Sequence, residues 1–203
     1  MIYYLDPSEK ESSTSRIKML KIVSGKYRSL EIDVPGPETV PTKNMVRTGI
    51  GNALTNDVWG ASVLDLFAGS GALGIECLSR GARECDFVDV SSDASNVIRK
   101  NLSKLKETKG RVFCSSFSDF IASFKENKKY DIVLLDPPYK EKGFYFDAIS
   151  ALLEKNLLSE GAVIVMEYEG EEPAFPKEAF PRIRTYHYGR TYVTICWRKE
   201  KQL

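Results

Sequence analysis

Between Val63 and Glu167 the chain alternates two kinds of hydrophobic pattern. Short, almost continuously apolar runs recur: V-L-D-L-F from Val63, C-D-F-V-D-V from Cys85, R-V-F-C from Arg111, Y-D-I-V-L-L-D from Tyr130 and A-V-I-V-M-E from Ala162. Each has the length of a strand and is too short for a buried helix. Between them the apolar residues return at helical spacing. A-L-G-I-E-C-L-S-R begins at Ala72; Ser91 or Ser92 is placed to cap a helix carrying Val97, Ile98, Leu102 and Leu105. Phe117, Phe120, Ile121 and Phe124 mark a short third helix, and Ala148 to Leu157 a fourth. Strands apolar on both sides, separated by helices, predict an α/β domain with a parallel sheet covered on both faces.

The two ends depart from that rhythm. M-L-K-I-V-S-G-K-Y-R-S-L-E-I alternates about Gly25 and predicts a hairpin. Pro35, Pro37 and Pro41 then mark an extended loop, and Thr42 is placed to cap a helix bearing Val46, Ile50 and Leu54 on one side. Gly49 and Gly51 weaken that helix by up to about 1 kcal/mol each. At the other end, I-R-T-Y-H-Y and T-Y-V-T-I-C-W flank Gly189 as a terminal antiparallel hairpin. The polar, Ser-rich residues 1–18 are expected to be a flexible extension, residues 19–57 a small hairpin-and-helix appendage, and residues 58–203 the main domain.

Composition narrows the class. The 203 residues are 42% hydrophobic and 28% charged, with no apolar run of membrane-spanning length. Cys77, Cys85, Cys114 and Cys196 lack any C-x-x-C spacing and are expected to be buried free thiols of a reducing cytoplasm. His187 is the single histidine, which argues against a metal site. Net charge is +1, but it is unevenly spread. Seven basic residues fall between Arg16 and Arg47 against three acidic ones, and seven from Lys177 onward against two. Such ends, brought together, would form one phosphate-binding face.

The chemistry concentrates in two motifs. In V-L-D-L-F-A-G-S-G-A-L-G-I-E, Gly69, Gly71 and Gly74 follow the first strand and open a helix, as in the dinucleotide fingerprint. Asp65 lies inside that strand, where a buried carboxylate needs a partner. Together with Asp89 at the end of the next strand, it suits S-adenosylmethionine (SAM), which has an amino group, a sulfonium and a ribose diol. Phe67, Ala68, Ser70 and Val90 flank these positions as further candidate cofactor contacts, as do Ser115 and Ser116 after the third strand.

The second motif is D-P-P-Y, Asp136 to Tyr139, at the carboxyl end of the fourth long strand, the edge at which open α/β sheets bind ligands. An aromatic –NH₂ is a poor nucleophile until its nitrogen pyramidalises. Asp136 and the carbonyl of Pro137 would hold its two N–H bonds, Pro138 would stiffen the loop, and Tyr139 would stack on the base.

With both motifs present, the chain resembles the RsmD family of bacterial 16S rRNA guanine-N2 methyltransferases. The resemblance runs from about Met19 to Lys199 and includes I-V-S-G-K-Y-R-S-L, P-T-K-N-M-V-R, F-V-D-V and the final Y-G-R-T-Y. It implies a Rossmann-like, seven-stranded, mostly parallel sheet with a C-terminal antiparallel hairpin, and methylation of guanine 966 in an assembling 30S subunit by a monomeric enzyme. It further implies an N-terminal hairpin and helix that help hold RNA, making Arg28, Thr42 and Arg47 candidate substrate contacts beside Pro138 and Tyr139. Val40, Asn44, Met45 and Gly51 depart from the charged or bulky residues expected there. Two alternatives stay open: adenine-N6 methylation of DNA or RNA, and a non-catalytic RNA-binding protein on the same scaffold.

Overall fold

The computed structural model describes residues 18–34, 41–125, 127–138 and 140–198. A two-stranded antiparallel sheet, β1 (Lys18–Lys21) and β2 (Glu31–Val34), comes first, followed by α1 (Pro41–Ala53). The alternating core follows as β3 (Ser62–Asp65), α2 (Ala72–Ser79), β4 (Glu84–Asp89), α3 (Ser92–Lys104), β5 (Gly110–Cys114), α4 (Phe117–Ser123), β6 (Tyr130–Leu135), α5 (Gly143–Glu154) and β7 (Leu158–Glu169). A hairpin of β8 (Arg182–Tyr188) and β9 (Thr191–Trp197) ends the described chain.

The seven strands from β3 onward form one sheet in the order β5-β4-β3-β6-β7-β9-β8. Neighbours are parallel from β5 to β7, and β9 runs antiparallel to both β7 and β8. Successive strand residues point to opposite faces, which splits the core. Val63, Phe87 and Ile132 pack with Ile75, Leu78 and Ile98 on one side; Leu64, Val88 and Val133 pack with Ile149 and Leu152 on the other. The chain leaves β3 for β4 on one flank and reaches β6 on the other, so a crevice opens above the ends of β3, β4 and β6.

The N-terminal elements share this core. Ile22, Tyr27, Ile32, Val46, Ile50 and Leu54 lie in the same cluster as Ile75 and Phe87. Polar ties fix them: Glu76 on α2 accepts the N–H groups of Val23 and Ser24 at 2.9 and 3.0 Å. Glu107 accepts the Tyr27 hydroxyl at 2.9 Å and pairs with Lys26. A Cβ at Gly49 would stand 2.0 Å from the Tyr188 hydroxyl, and one at Gly51 2.4 Å from the Arg80 guanidinium. These glycines thus trade helix propensity for close packing of α1 on β8 and α2.

Several boundaries differ from the sequence reading. α1 opens at Pro41, whose fixed φ and missing N–H suit a first turn, so Thr42 is inside the helix and not its cap. α5 begins at Gly143, five residues before Ala148, because its apolar stripe starts with buried Tyr145 and continues through Ala148, Ile149 and Leu152. Cys77, Cys85 and Cys196 are buried, but Cys114 is exposed, at the end of β5 on an edge of the sheet. Residues 1–17 of the expected extension lie outside the described residues. No helix among the described residues is long and apolar enough to cross a membrane.

Gly74 is set by space. A Cβ there would lie 2.4 Å from Phe87 Cε1 and 2.7 Å from Cys85 Sγ, both buried in the core. Gly74→Val is expected to cost about 1–3 kcal/mol, lowering the melting temperature by roughly 2–4 °C per kcal/mol. Gly143→Ala, with nothing within 4 Å of the added carbon, should leave it unchanged or raise it. Thermal denaturation followed by circular dichroism measures both.

Candidate active site

The glycine turn grows directly out of β3. Leu66 N–H bonds to Leu134 O and Ala68 N–H to Val88 O, each at 3.1 Å, so the chain stays tied to β6 and β4 just past Asp65. Gly69 (φ 53°) and Gly71 (φ 77°) then take left-handed conformations, and Gly71 N–H closes onto Ala68 O at 2.6 Å. The α3 side chain Asn101 donates to Ser70 O at 3.1 Å. Ala68, Ser70 and Gly71 thereby frame the turn.

Asp89 is locked by the backbone it faces. Its Oδ2 accepts Gly69 N–H and its Oδ1 accepts Ser91 N–H, both at 2.8 Å. Ser115 N–H reaches Asp89 O at 3.0 Å and brings the loop after β5 alongside. The hydroxyls of Ser115 and Ser116 are engaged locally: Ser115 donates to Ser116 O, and Ser116 caps α4 by accepting Asp119 N–H at 3.1 Å. An adenine placed here would therefore meet mainly backbone groups and rings.

A cavity of about 930 Å³ occupies the crevice. Phe67, Gly69, Asp89, Val90, Ser115, Ser116, Asp136, Pro137 and Pro138 line it, uniting residues from four strand ends. Asp136 is half-buried, Pro137 buried and Pro138 exposed. Among the other lining residues are Phe117 and Phe144, which the sequence does not mark as site residues. With Phe67 they form a triangle of rings, centroids 5.1 to 6.0 Å apart. The sequence pattern places Phe117 on the apolar side of its helix and Phe144 ahead of the helix that it delimits from Ala148.

Asp65 does not line the cavity. It is 2% exposed, beneath the turn, where its Oδ2 accepts Gly74 N–H at 3.0 Å. Burial pushes its carboxyl up to about 7, the charges of Asp136 and Asp89 push the same way, and the Gly74 N–H opposes them. The charges of Asp89 and Asp136 thus bear on the buried Asp65 across the end of β3. Such a site opposes an anionic pyrophosphate and favours a ligand carrying positive charge.

Two expected substrate contacts fall elsewhere. Arg28 is exposed, but on a turn bonded to Ser79 at the far end of α2, about 12 Å along that helix from the glycine turn. Arg47 is only 5% exposed; its Nη2 donates to Lys21 O and Asn44 Oδ1, bracing α1 against β1, and burial lowers its pKa. Its helix turns it inward with Ile50, so it is no open phosphate contact. Tyr139 and the side chain of Thr42 lie outside the described residues.

The strand order, the glycine turn after β3 and the Asp-Pro-Pro corner after β6 together define the fold of SAM-dependent methyltransferases. The structure matches "Putative methyltransferase yhhF from Escherichia coli" with a TM-score of 0.79 at 32% identity, covering 90% of this chain and 99% of that one. In sequence it is 34% identical over 163 residues to Ribosomal RNA small subunit methyltransferase D of Escherichia coli strain K12, covering 80% of this chain and 81% of that protein. It is 38% identical over 183 residues to "Putative rRNA methyltransferase YlbH" of Bacillus subtilis, covering 87% and 97%. A family model described as Conserved hypothetical protein 95 matches residues 20–197. The chain belongs to that family, the RsmD family of methyltransferases.

The state of Asp65 has a measurable consequence. The folded chain holds its proton up to about pH 7, whereas an unfolded chain releases it near pH ~4. Its contribution is therefore fully present in acid, declines as pH rises through that interval, and is level above it. Asp65→Asn should remove this decline from the melting temperature of the ligand-free protein measured against pH.

Proposed function

We propose that this chain transfers a methyl group from SAM to the exocyclic N2 amine of a guanine in 16S rRNA, guanine 966, within an assembling 30S subunit. The observation that carries this reading is the meeting of Asp136–Pro137–Pro138 with Gly69 and Asp89 on one cavity. The residues present fit SAM. The turn at Gly69 leaves open space where a side chain would project, and the carboxylates of Asp89 and Asp136 line the cavity beside it. SAM, when bound, supplies an electrophilic methyl on a sulfonium.

The remaining work falls to the protein. Asp89 accepts from the ribose hydroxyls, and Phe67, Val90 and Phe117 enclose the adenine side of the cavity. A guanine paired in a helix cannot enter, so the base must first be flipped from its stack. Tyr139, next in sequence after Pro138, offers a ring to receive it. Asp136 and the Pro137 carbonyl then take the two N–H bonds of the amine, which frees the nitrogen lone pair. As positive charge develops on that nitrogen, the Asp136 carboxylate stabilises it in a site set up beforehand.

Asp136→Ala should therefore bind SAM almost normally yet lose about 10²–10³ in kcat. Asp89→Ala should weaken SAM binding by about 2–3 kcal/mol, through lost charge-assisted bonds and a loosened Gly69 turn. Calorimetry gives the affinities. Transfer of labelled methyl to 30S particles lacking the modification, with identification of the product nucleoside, gives the rest. Wild-type transfer by Asp136→Ala, or N6-methyladenine as product, would overturn the assignment.

A further inference from the structure

Three aromatic rings lie in a row across the last strands of the sheet. Tyr168 on β7 stands opposite Tyr192 on β9, and Tyr192 opposite His187 on β8. The rings stack at 5.6 and 4.3 Å between centroids, both pairs within 14° of parallel. Exposure rises along the row. Tyr168 is 5% exposed and its hydroxyl pairs with Thr194 at 3.0 Å; Tyr192 is half-buried; His187 is exposed on β8, the sheet's edge strand. Tyr192 covers one face of the imidazole, and the other looks away from the sheet.

The row stands at the catalytic edge. Leu135 pairs with Met166, so Asp136 follows on beside Glu167, one residue from Tyr168. At about 4.8 Å per strand, the row extends from roughly 5 to 15 Å from Asp136. Tyr168 and Tyr192 also belong to the same side of the sheet as Leu66, Phe67 and Phe117, the side on which the cavity opens. Cross-strand ring pairs stabilise a sheet, which accounts for the two tyrosines. It does not account for an imidazole left open at the end of the stack.

Flipping a base breaks its stacking and leaves its neighbour without a partner. A stack of rings with one free face, a short distance from the flipped base, would replace that partner without regard to sequence. We propose that Tyr168, Tyr192 and His187 form a stacking platform for the RNA strand flanking the target guanine, with a base packed on the open face of His187. The exposed Arg190, in the adjoining turn, meets that nucleotide's phosphate. This rests on RNA being the substrate.

Methyl transfer to 30S particles at saturating SAM, with RNA varied, tests it in the full-length chain. His187→Ala should raise the KM for RNA about tenfold while kcat and the calorimetric affinity for S-adenosylhomocysteine stay at wild-type values. His187→Phe, which keeps a ring face without the imidazole nitrogens, should restore the KM. An unchanged KM in His187→Ala overturns the platform, and so does a His187→Phe variant as weak as the alanine one. If the wild-type protein transfers no methyl to rRNA, the function proposed above fails on its own. Anisotropy of a labelled single-stranded RNA then decides the platform: equal affinity in wild type and His187→Ala overturns it.

Discussion

The approach of α2 onto β3 and β4 leaves no space for a side chain at position 74, and much of the molecule follows from that closeness. Because the helix backbone touches the sheet there, its Gly74 N–H can reach Asp65, a carboxylate that the fold has otherwise removed from water. The turn that precedes the helix is thereby held against the ends of β3 and β4, near enough for Asp89 to grip Gly69. The other half of the same helix serves a different purpose. Glu76 and Ser79 collect backbone N–H groups from residues 23–27 and fasten the N-terminal hairpin to the core. One eight-residue helix thus shapes the ligand turn at its start and anchors the first part of the chain further along.

The electrostatics of the site follow from the same geometry. Asp65, Asp89 and Asp136 end three different structural stretches, and only the fold brings the charges of Asp89 and Asp136 to bear on Asp65. Asp89 is compensated by two backbone N–H groups, Asp65 by one and by a raised proton affinity. The concentration of negative charge works against the protein alone and in favour of a cationic cofactor. A glycine turn that resembles a dinucleotide fingerprint is thereby turned toward different chemistry.

Much of this was readable in the sequence, for identifiable reasons. Strands buried on both faces leave continuous apolar runs, so β3, β4, β6 and the centre of β7 stood out. Functional residues at strand ends could be placed because the strands could. Glycine was harder. Gly69 and Gly71 serve backbone conformation, whereas Gly49, Gly51 and Gly74 make room for Tyr188, Arg80 and Phe87, and a sequence does not distinguish these uses. Charge was harder still. Arg47 stands three residues before Ile50 and seven before Leu54, on the apolar side of α1, and that spacing signals burial. The family resemblance and its positive charge point to RNA instead. Phe144 was missed because α5 starts a turn and more before its most apolar stretch, and that first turn borders the cavity.

The margins of the sheet bear on how the protein behaves in a crowded solution. An open sheet presents unpaired backbone groups at both outer strands, a template for joining another copy edge to edge. Here β5, at one margin, is five residues long and carries Arg111, whose guanidinium is held by Asp86. β8, at the other, follows Pro181 and displays Arg184 to solvent. The brevity of β5, the proline at the threshold of β8 and the exposed charge on that strand raise the cost of strand addition at these two margins.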